Sequence, residues 1–378
     1  MSQLRIIIIY ILSVLFLLTK MRQPFIPANP TTTGQMFALF SLILLITQIR
    51  LLVKYKYGLL IMTYLVLLYF SLVFVQEKSY SAMFSWVMPL IVTAVLQQKD
   101  RKKIKPLMYL FLFVFIANAC AAFYERFTLS LLMEPDADDR ILMQQMEYGE
   151  SSNSSFRSFA LFGHPLNNGN IMAFMSFIVF YAKSIPLKLR LLLAAMGLSS
   201  LFCFNSRGAI LVSAGLLTPS IYQYVRYNAK HKITVIIAIL IVAIYLITNF
   251  SNFGGRLASE GVMDDSAMAR VLSIQEFLSI PFNTLLMGGY EMTYGENGYL
   301  MILAQYGLIV GGFKIFVELF LSYKIIGKQY DMTTKFIIMA SLIVIGSTNN
   351  NLAFPLAFPM YVMCVNFILN NYIMEEKQ

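Results

Sequence analysis

The strongest constraint on this chain is a series of apolar runs, each close to the length that crosses a bilayer. A helical span takes roughly 20 apolar residues. On that measure the sequence predicts about twelve transmembrane helices, near 4–19, 36–53, 57–75, 80–97, 106–124, 169–185, 187–204, 208–226, 231–250, 297–323, 334–348 and 352–372. Hydrocarbon offers no water to open backbone, so runs of this kind fold as an all-α polytopic bundle. Composition agrees: 58% of the 378 residues are hydrophobic and 13% are charged, against about a quarter charged in soluble domains. The first run is followed by Lys20-Met-Arg22-Gln-Pro24 and no small-residue cleavage site, so it reads as an uncleaved span. No repeat or linker divides the sequence, and one polytopic membrane domain over 1–378 is expected.

A net charge of +10 suggests nucleic acid in a soluble chain, but here the basic residues collect in alternate short loops. With the N-terminus inside, 19 of the 29 lysines and arginines fall on the cytoplasmic side, 9 fall outside, and Lys314 lies within the tenth span. That bias predicts cytoplasmic termini. Cys120, Cys203 and Cys364 each lie in or beside an apolar run and read as buried small residues. Two histidines, with no CxxC or HExxH, argue against a metal site. No phosphate-cradling glycine loop follows a strand, which argues against direct nucleotide binding.

Two outward segments are long, about 125–168 and 251–296, and they hold the room for chemistry. The first carries an acidic run from Glu134 to Asp139, then Phe156-Arg157 and Gly163-His164-Pro165 before Asn168. The second opens polar and continues as an amphipathic stretch, Ala267–Ile280, with Asp264 and Asp265 suited to a helix start and Pro281 to its stop. Such a helix would lie along the outer membrane surface. Beyond it come a glycine turn, Gly288-Gly289-Tyr290, and a polar tip, Tyr294-Gly295-Glu296-Asn297, which runs into an apolar helix.

Three outward arginines invite two readings each. Arg157 is either a solvated loop charge or an anion ligand near the membrane surface. Arg207, in the tight turn Asn205-Ser206-Arg207-Gly208, must snorkel, pair or bind something. Arg270 sits mid-way along the amphipathic stretch, where a basic residue ordinarily meets lipid headgroups. A planar guanidinium grips two phosphate oxygens at once. If they converge, these three residues suit one strongly negative group, and a lipid-linked diphosphate at the membrane surface would be such a group.

His164 is either structural or a donor to phosphate or a proton acceptor. Glu296 is either a cap at a helix start or a general base facing a substrate hydroxyl. Tyr290, Tyr294 and Tyr299 crowd the same loop beside Asn297, as interfacial belt residues or as a surface for sugar rings.

On these residues the chain resembles the bacterial O-antigen polymerase and O-antigen ligase superfamily. The likeness lies in Arg157…Gly163-His164-Pro165…Asn168 entering a helix, Ser206-Arg207-Gly208 opening another, Arg270…Pro281…Gly288-x-Tyr290, and Asn297-Gly-Tyr-Leu300…Leu303…Tyr306-Gly307. It covers roughly 150–325, where the catalytic region is expected. Where the family's ligases commonly carry histidine before the asparagine, this chain carries Glu296, which would repel phosphate and leaves a base role open.

The resemblance implies a GT-C-like membrane glycosyltransferase of the bacterial cytoplasmic membrane, with its active site facing the periplasm or exterior. It would polymerise undecaprenyl-diphosphate-linked repeat units and release undecaprenyl diphosphate. Donor and acceptor would both be lipid-linked glycans, and membrane lipid, a chain-length regulator and a flippase would be its partners, with no nucleic acid. Arg157, Arg207 and Arg270 would hold the diphosphate and need no metal or cofactor. Glu296 or His164 would take the acceptor proton, and Tyr290, Tyr294, Asn297 and Tyr299 would face the glycan. Two rivals remain: a ligase moving finished glycan to another acceptor, and, in a different class, a polysaccharide-unit flippase or exporter. The exporter would carry charge inside its spans, whereas these spans are nearly uncharged, with Lys314 and Glu318 as an i,i+4 pair in the tenth.

Overall fold

A computed structural model describes residues 2–20, 30–74, 80–97, 101–132, 156–182, 184–227, 265–294, 297–326, 330–348 and 359–365. Among them there is no strand. The helices are α1 (Ser2–Lys20), α2 (Pro30–Lys54), α3 (Gly58–Phe74), α4 (Tyr80–Leu96) and α5 (Pro106–Thr128). They continue as α6 (Pro165–Tyr181), α7 (Leu187–Phe204), α8 (Arg207–Tyr227), α9 (Asp265–Ser279), α10 (Phe282–Met287), α11 (Gly298–Ile326) and α12 (Met332–Thr348).

Four helical stretches are long and apolar enough to cross a membrane: Gln35–Lys54, Pro106–Thr128, Leu187–Phe204 and Gly298–Ile326. Shorter apolar helices pack among them. The chain is a helical membrane protein. The span expected near 231–250 lies outside the described residues, as does most of that near 352–372, of which 359–365 is helical.

α1 to α4 pack together, and α6 forms a second centre with α7 and α8. α6 buries Asn168 through Val179 without interruption, as expected of a helix with no solvent face. Its Gly169 lets α8 come close: a Cβ there would lie 2.8 Å from the Ala209 Cβ and 2.9 Å from that of Ser206. Small residues at such crossings let membrane helices approach backbone to backbone. α11 packs on α3 and α4 and also on α12, which in turn packs on α8 and so links the two groups.

The expectation of one unbroken span over 297–323 fails at Gly307. This residue adopts φ 79° and ψ 162°, which no α-helix sustains. The two halves fold back on each other, for a Cβ on Gly311 would lie 2.7 Å from the carbonyl oxygen of Ile302. In a straight helix residues nine apart stand about 13 Å apart along the axis. Residues 298–306 thus form a half-helix, and 308–326 keeps roughly 28 Å, enough to span.

The break leaves carbonyls that would otherwise bond within the helix. Gly289 N–H donates to Gln305 O at 2.7 Å and Tyr290 N–H to Ala304 O at 3.2 Å. Broken helices persist in membrane proteins where the protein itself satisfies the freed groups.

Candidate functional site

The loop that carries Arg157 is held by buried polar groups on three helices. Glu125, 1% exposed near the end of α5, accepts backbone N–H groups from Phe159 at 2.6 Å, Ala160 at 2.8 Å and Leu132 at 3.1 Å. A buried carboxylate is tolerable only with donors of this kind. Asn118, also on α5, accepts from Leu161 N–H at 3.0 Å. On α6, Asn168 accepts from Phe162 N–H at 3.3 Å and donates to the carbonyls of Phe159 at 2.6 Å and Gly163 at 3.0 Å. Ser158 N–H donates to Cys203 O at 2.9 Å, docking the loop on the end of α7.

So held, Arg157 is 8% exposed and donates from Nη2 to the carbonyl of Asn205 at 3.1 Å. Asn205 caps α7 in the left-handed region, and α8 begins two residues later at Arg207. The Arg157 guanidinium is thus seated on the turn whose backbone opens α8 at Arg207. Neighbouring Arg126 donates to Phe156 O at 2.9 Å, closing the loop's entrance.

His164 is the N-cap of α6, its Nδ1 accepting from Leu166 N–H at 3.2 Å. That bond occupies the Nδ1 lone pair and assigns the proton of the neutral ring to Nε2. The ring is then a donor, suited to an anion more than to abstracting a proton.

The second cluster forms on α9, α10 and the half-helix of α11. α9 follows the expected bounds, ending at Ser279 before Pro281; the short α10 after it was not foreseen. Glu276 accepts the backbone N–H groups of Thr293 and Tyr294, both at 2.8 Å, and the Tyr290 hydroxyl at 3.3 Å. Burial pushes its carboxyl up, but these donors outweigh that and leave it below the ordinary glutamate value. The Tyr290 hydroxyl is raised, by burial first and then by the adjacent Glu276 charge and hydrogen bond.

Tyr294 is exposed on the same loop. Asn297 caps the half-helix, its Oδ1 accepting from Tyr299 and Leu300 N–H groups at 3.1 and 3.2 Å. Tyr299 turns to α12, its hydroxyl donating to Leu342 O at 3.1 Å, so it anchors the half-helix. Glu296 lies outside the described residues. Arg270 is half-buried on α9, and its Nε has no hydrogen-bond partner among the described residues.

The two clusters stand on different helices: α9 packs on α11, while the Arg157 loop rests on α5, α6 and α7. Among the described residues no three His, Cys, Asp or Glu side chains gather as metal ligands do. Glu125, Asn118 and Glu276 escape a reading from sequence because their partners are remote in the chain. A carboxylate and an amide inside a mostly apolar helix are the signal for the first two.

Compared with models of known families, with curated proteins and with solved structures, the chain finds no match in any of the three.

Proposed function

We propose that the protein is a membrane glycosyltransferase that polymerises lipid-diphosphate-linked oligosaccharide units on the outer face of a bacterial cytoplasmic membrane. In this reading it has about twelve spans in a GT-C-like arrangement, with both termini cytoplasmic. The observation that carries the reading is the seating of Arg157 on the turn that opens into Arg207. Two guanidinium-bearing residues at the end of a membrane helix suit a diphosphate leaving group, whose growing charge fixed cations stabilise.

In the reaction a hydroxyl oxygen of the acceptor sugar attacks the anomeric carbon of the donor glycan. The bond from that carbon to the diphosphate oxygen breaks, and lipid diphosphate departs. Arg207 and Arg270 bind the diphosphate, Arg157 assists, and His164 donates to it through Nε2–H. The acceptor proton passes to Glu296. Tyr290 and Tyr294 face the sugars, while Asn297 and Tyr299 hold the half-helix behind them.

The test is purified protein in detergent with undecaprenyl-diphosphate-linked repeat units, without nucleotide sugar or metal, read on a gel for glycan length. Wild type should give a ladder that Arg270→Ala and Arg207→Ala lack. No ladder from competent lipid-linked units would overturn the reading.

One observation favours a second reading, that of an exporter. Lys314 and Glu318 form a buried ion pair inside α11, and charge within spans is the mark of substrate or proton pathways. Flux of a labelled lipid-linked unit across proteoliposomes, with no change in glycan length, would select it.

A further inference from the structure

Lys314 and Glu318 lie one turn apart on the spanning half of α11, each 1% exposed, with Lys314 Nζ paired to Glu318 Oε1. The Tyr64 hydroxyl on α3 donates to the same Oε1 at 3.2 Å. On α4, the Trp86 ring lies under the Lys314 ammonium, 5.1 Å from its centroid. Trp86 is edge-on to Tyr306 at 5.4 Å between centroids and packs on Tyr64 at 5.0 Å. Tyr306 immediately precedes the break at Gly307.

Burying this pair is costly, and well-packed apolar side chains would serve stability as well or better. A buried polar pair can also set the rotation and register of the helix that carries it. Lipid tails are as apolar as leucine, so no hydrophobic drive between helices selects one rotation, and packing shape or polar contacts must select it. A charged pair that meets a hydroxyl donor on α3 and an aromatic face on α4 favours one orientation.

From that orientation a chain of contacts runs outward. It passes from Trp86 to Tyr306, then along the half-helix to the Ala304 and Gln305 carbonyls that hold Tyr290 and Gly289.

We propose that the Lys314–Glu318 pair is a positioning element that fixes the fold-back of α11 and, through it, the docking of the 288–294 loop. Calling that loop part of a site rests on the function proposed above; the coupling itself does not. The test therefore uses neither substrate nor turnover.

Trp86 is the only tryptophan in the chain, so its emission reports on the pair directly. Met292, 9% exposed and packed with Ile280 and Ala304, reports on the loop. Met292→Cys would be introduced with Cys120, Cys203 and Cys364 each replaced by alanine, and its labelling by a water-soluble maleimide followed in detergent. Into this background go Tyr64→Phe, which removes only one hydroxyl, and the double change Lys314→Met with Glu318→Leu. Both should keep the helical circular dichroism, shift Trp86 emission and speed labelling, about threefold for Tyr64→Phe and about tenfold for the double change. A shifted emission with unchanged labelling would show a pair that serves local packing alone, and would overturn the proposal. Unchanged emission and labelling would do the same. If the double change does not fold, Tyr64→Phe decides by the same two readouts.

Discussion

The guanidinium of Arg157 donates to the carbonyl of Asn205 at 3.1 Å, placing a cation at the C-terminal end of α7. The last carbonyls of a helix carry partial negative charge, so the site suits a cation. The backbone then turns and opens α8 at Arg207. The bond seats the Arg157 guanidinium on that turn, where the carbonyl of Asn205 accepts one of its N–H groups.

If the protein is the polymerase proposed above, Arg157→Ala should lower the rate of glycan extension by about 10²- to 10³-fold, the usual loss when one preorganised donor leaves a developing anion. Arg157→Lys should restore less than about a tenth of it, because a point charge on a flexible stem lacks the planar fork. Initial rates by gel, with thermal midpoints measured alongside, make the check. An unaltered rate in both variants would leave Arg157 as a staple for the loop and nothing more.

Glu125→Gln tests what holds that loop. Its carboxylate serves three backbone N–H groups through both oxygens. An amide has one oxygen, so in either orientation its NH₂ faces at least one donor. Leaving a buried N–H unmet costs about 1–3 kcal/mol, and the thermal midpoint in detergent should fall by several degrees. No fall would mean that the loop docks by other contacts.

Much of the framework is legible because membrane helices advertise themselves. The starts of α5 and α6 at prolines, and the stop of α9 before Pro281, follow local backbone rules. The break in α11 does not. A lone glycine in an apolar run reads as tolerated, and Gly307 is explained only by the Leu286–Gly288 backbone packed against it. Asn297 caps the half-helix, a role its sequence position beside Glu296 left open between the two. Glu125 and Glu276 work through N–H groups of distant loops, a relation with no local trace.

The fold-back of α11 predicts opposite fates for adjacent glycines. A Cβ on Gly311 would sit 2.7 Å from Ile302 O, whereas on Gly312 its nearest neighbour is a leucine methyl at 3.9 Å. Gly311→Ala should destabilise the protein and Gly312→Ala should be neutral, to within about 0.5 kcal/mol. Gly307→Ala should be worst. It combines a positive φ with a backbone oxygen at 2.5 Å, and left-handed strain alone costs about 1–3 kcal/mol. Equal tolerance at Gly311 and Gly312, by expression and thermal midpoint, would mean an unbroken helix.

Glu276 should latch the tyrosine loop at all but strongly acid pH. Its carboxyl is lowered because the Thr293 and Tyr294 N–H groups, with the Thr293 and Tyr290 hydroxyls, outweigh the effect of burial. A group depressed in the folded state stabilises fully above its unfolded value, 4.5 for this glutamate, and loses that contribution as pH falls through the lower folded value. Amide hydrogen exchange at Thr293 and Tyr294, corrected for intrinsic rates, should therefore show constant protection from pH 7 down to about pH 5 and progressive loss below. Glu276→Gln should remove most of this protection at every pH, since one amide oxygen cannot serve two N–H groups and a hydroxyl. Protection that fades between about pH 7 and pH 6 instead would assign the latch to a group titrating near neutrality, and Glu276 would not be it.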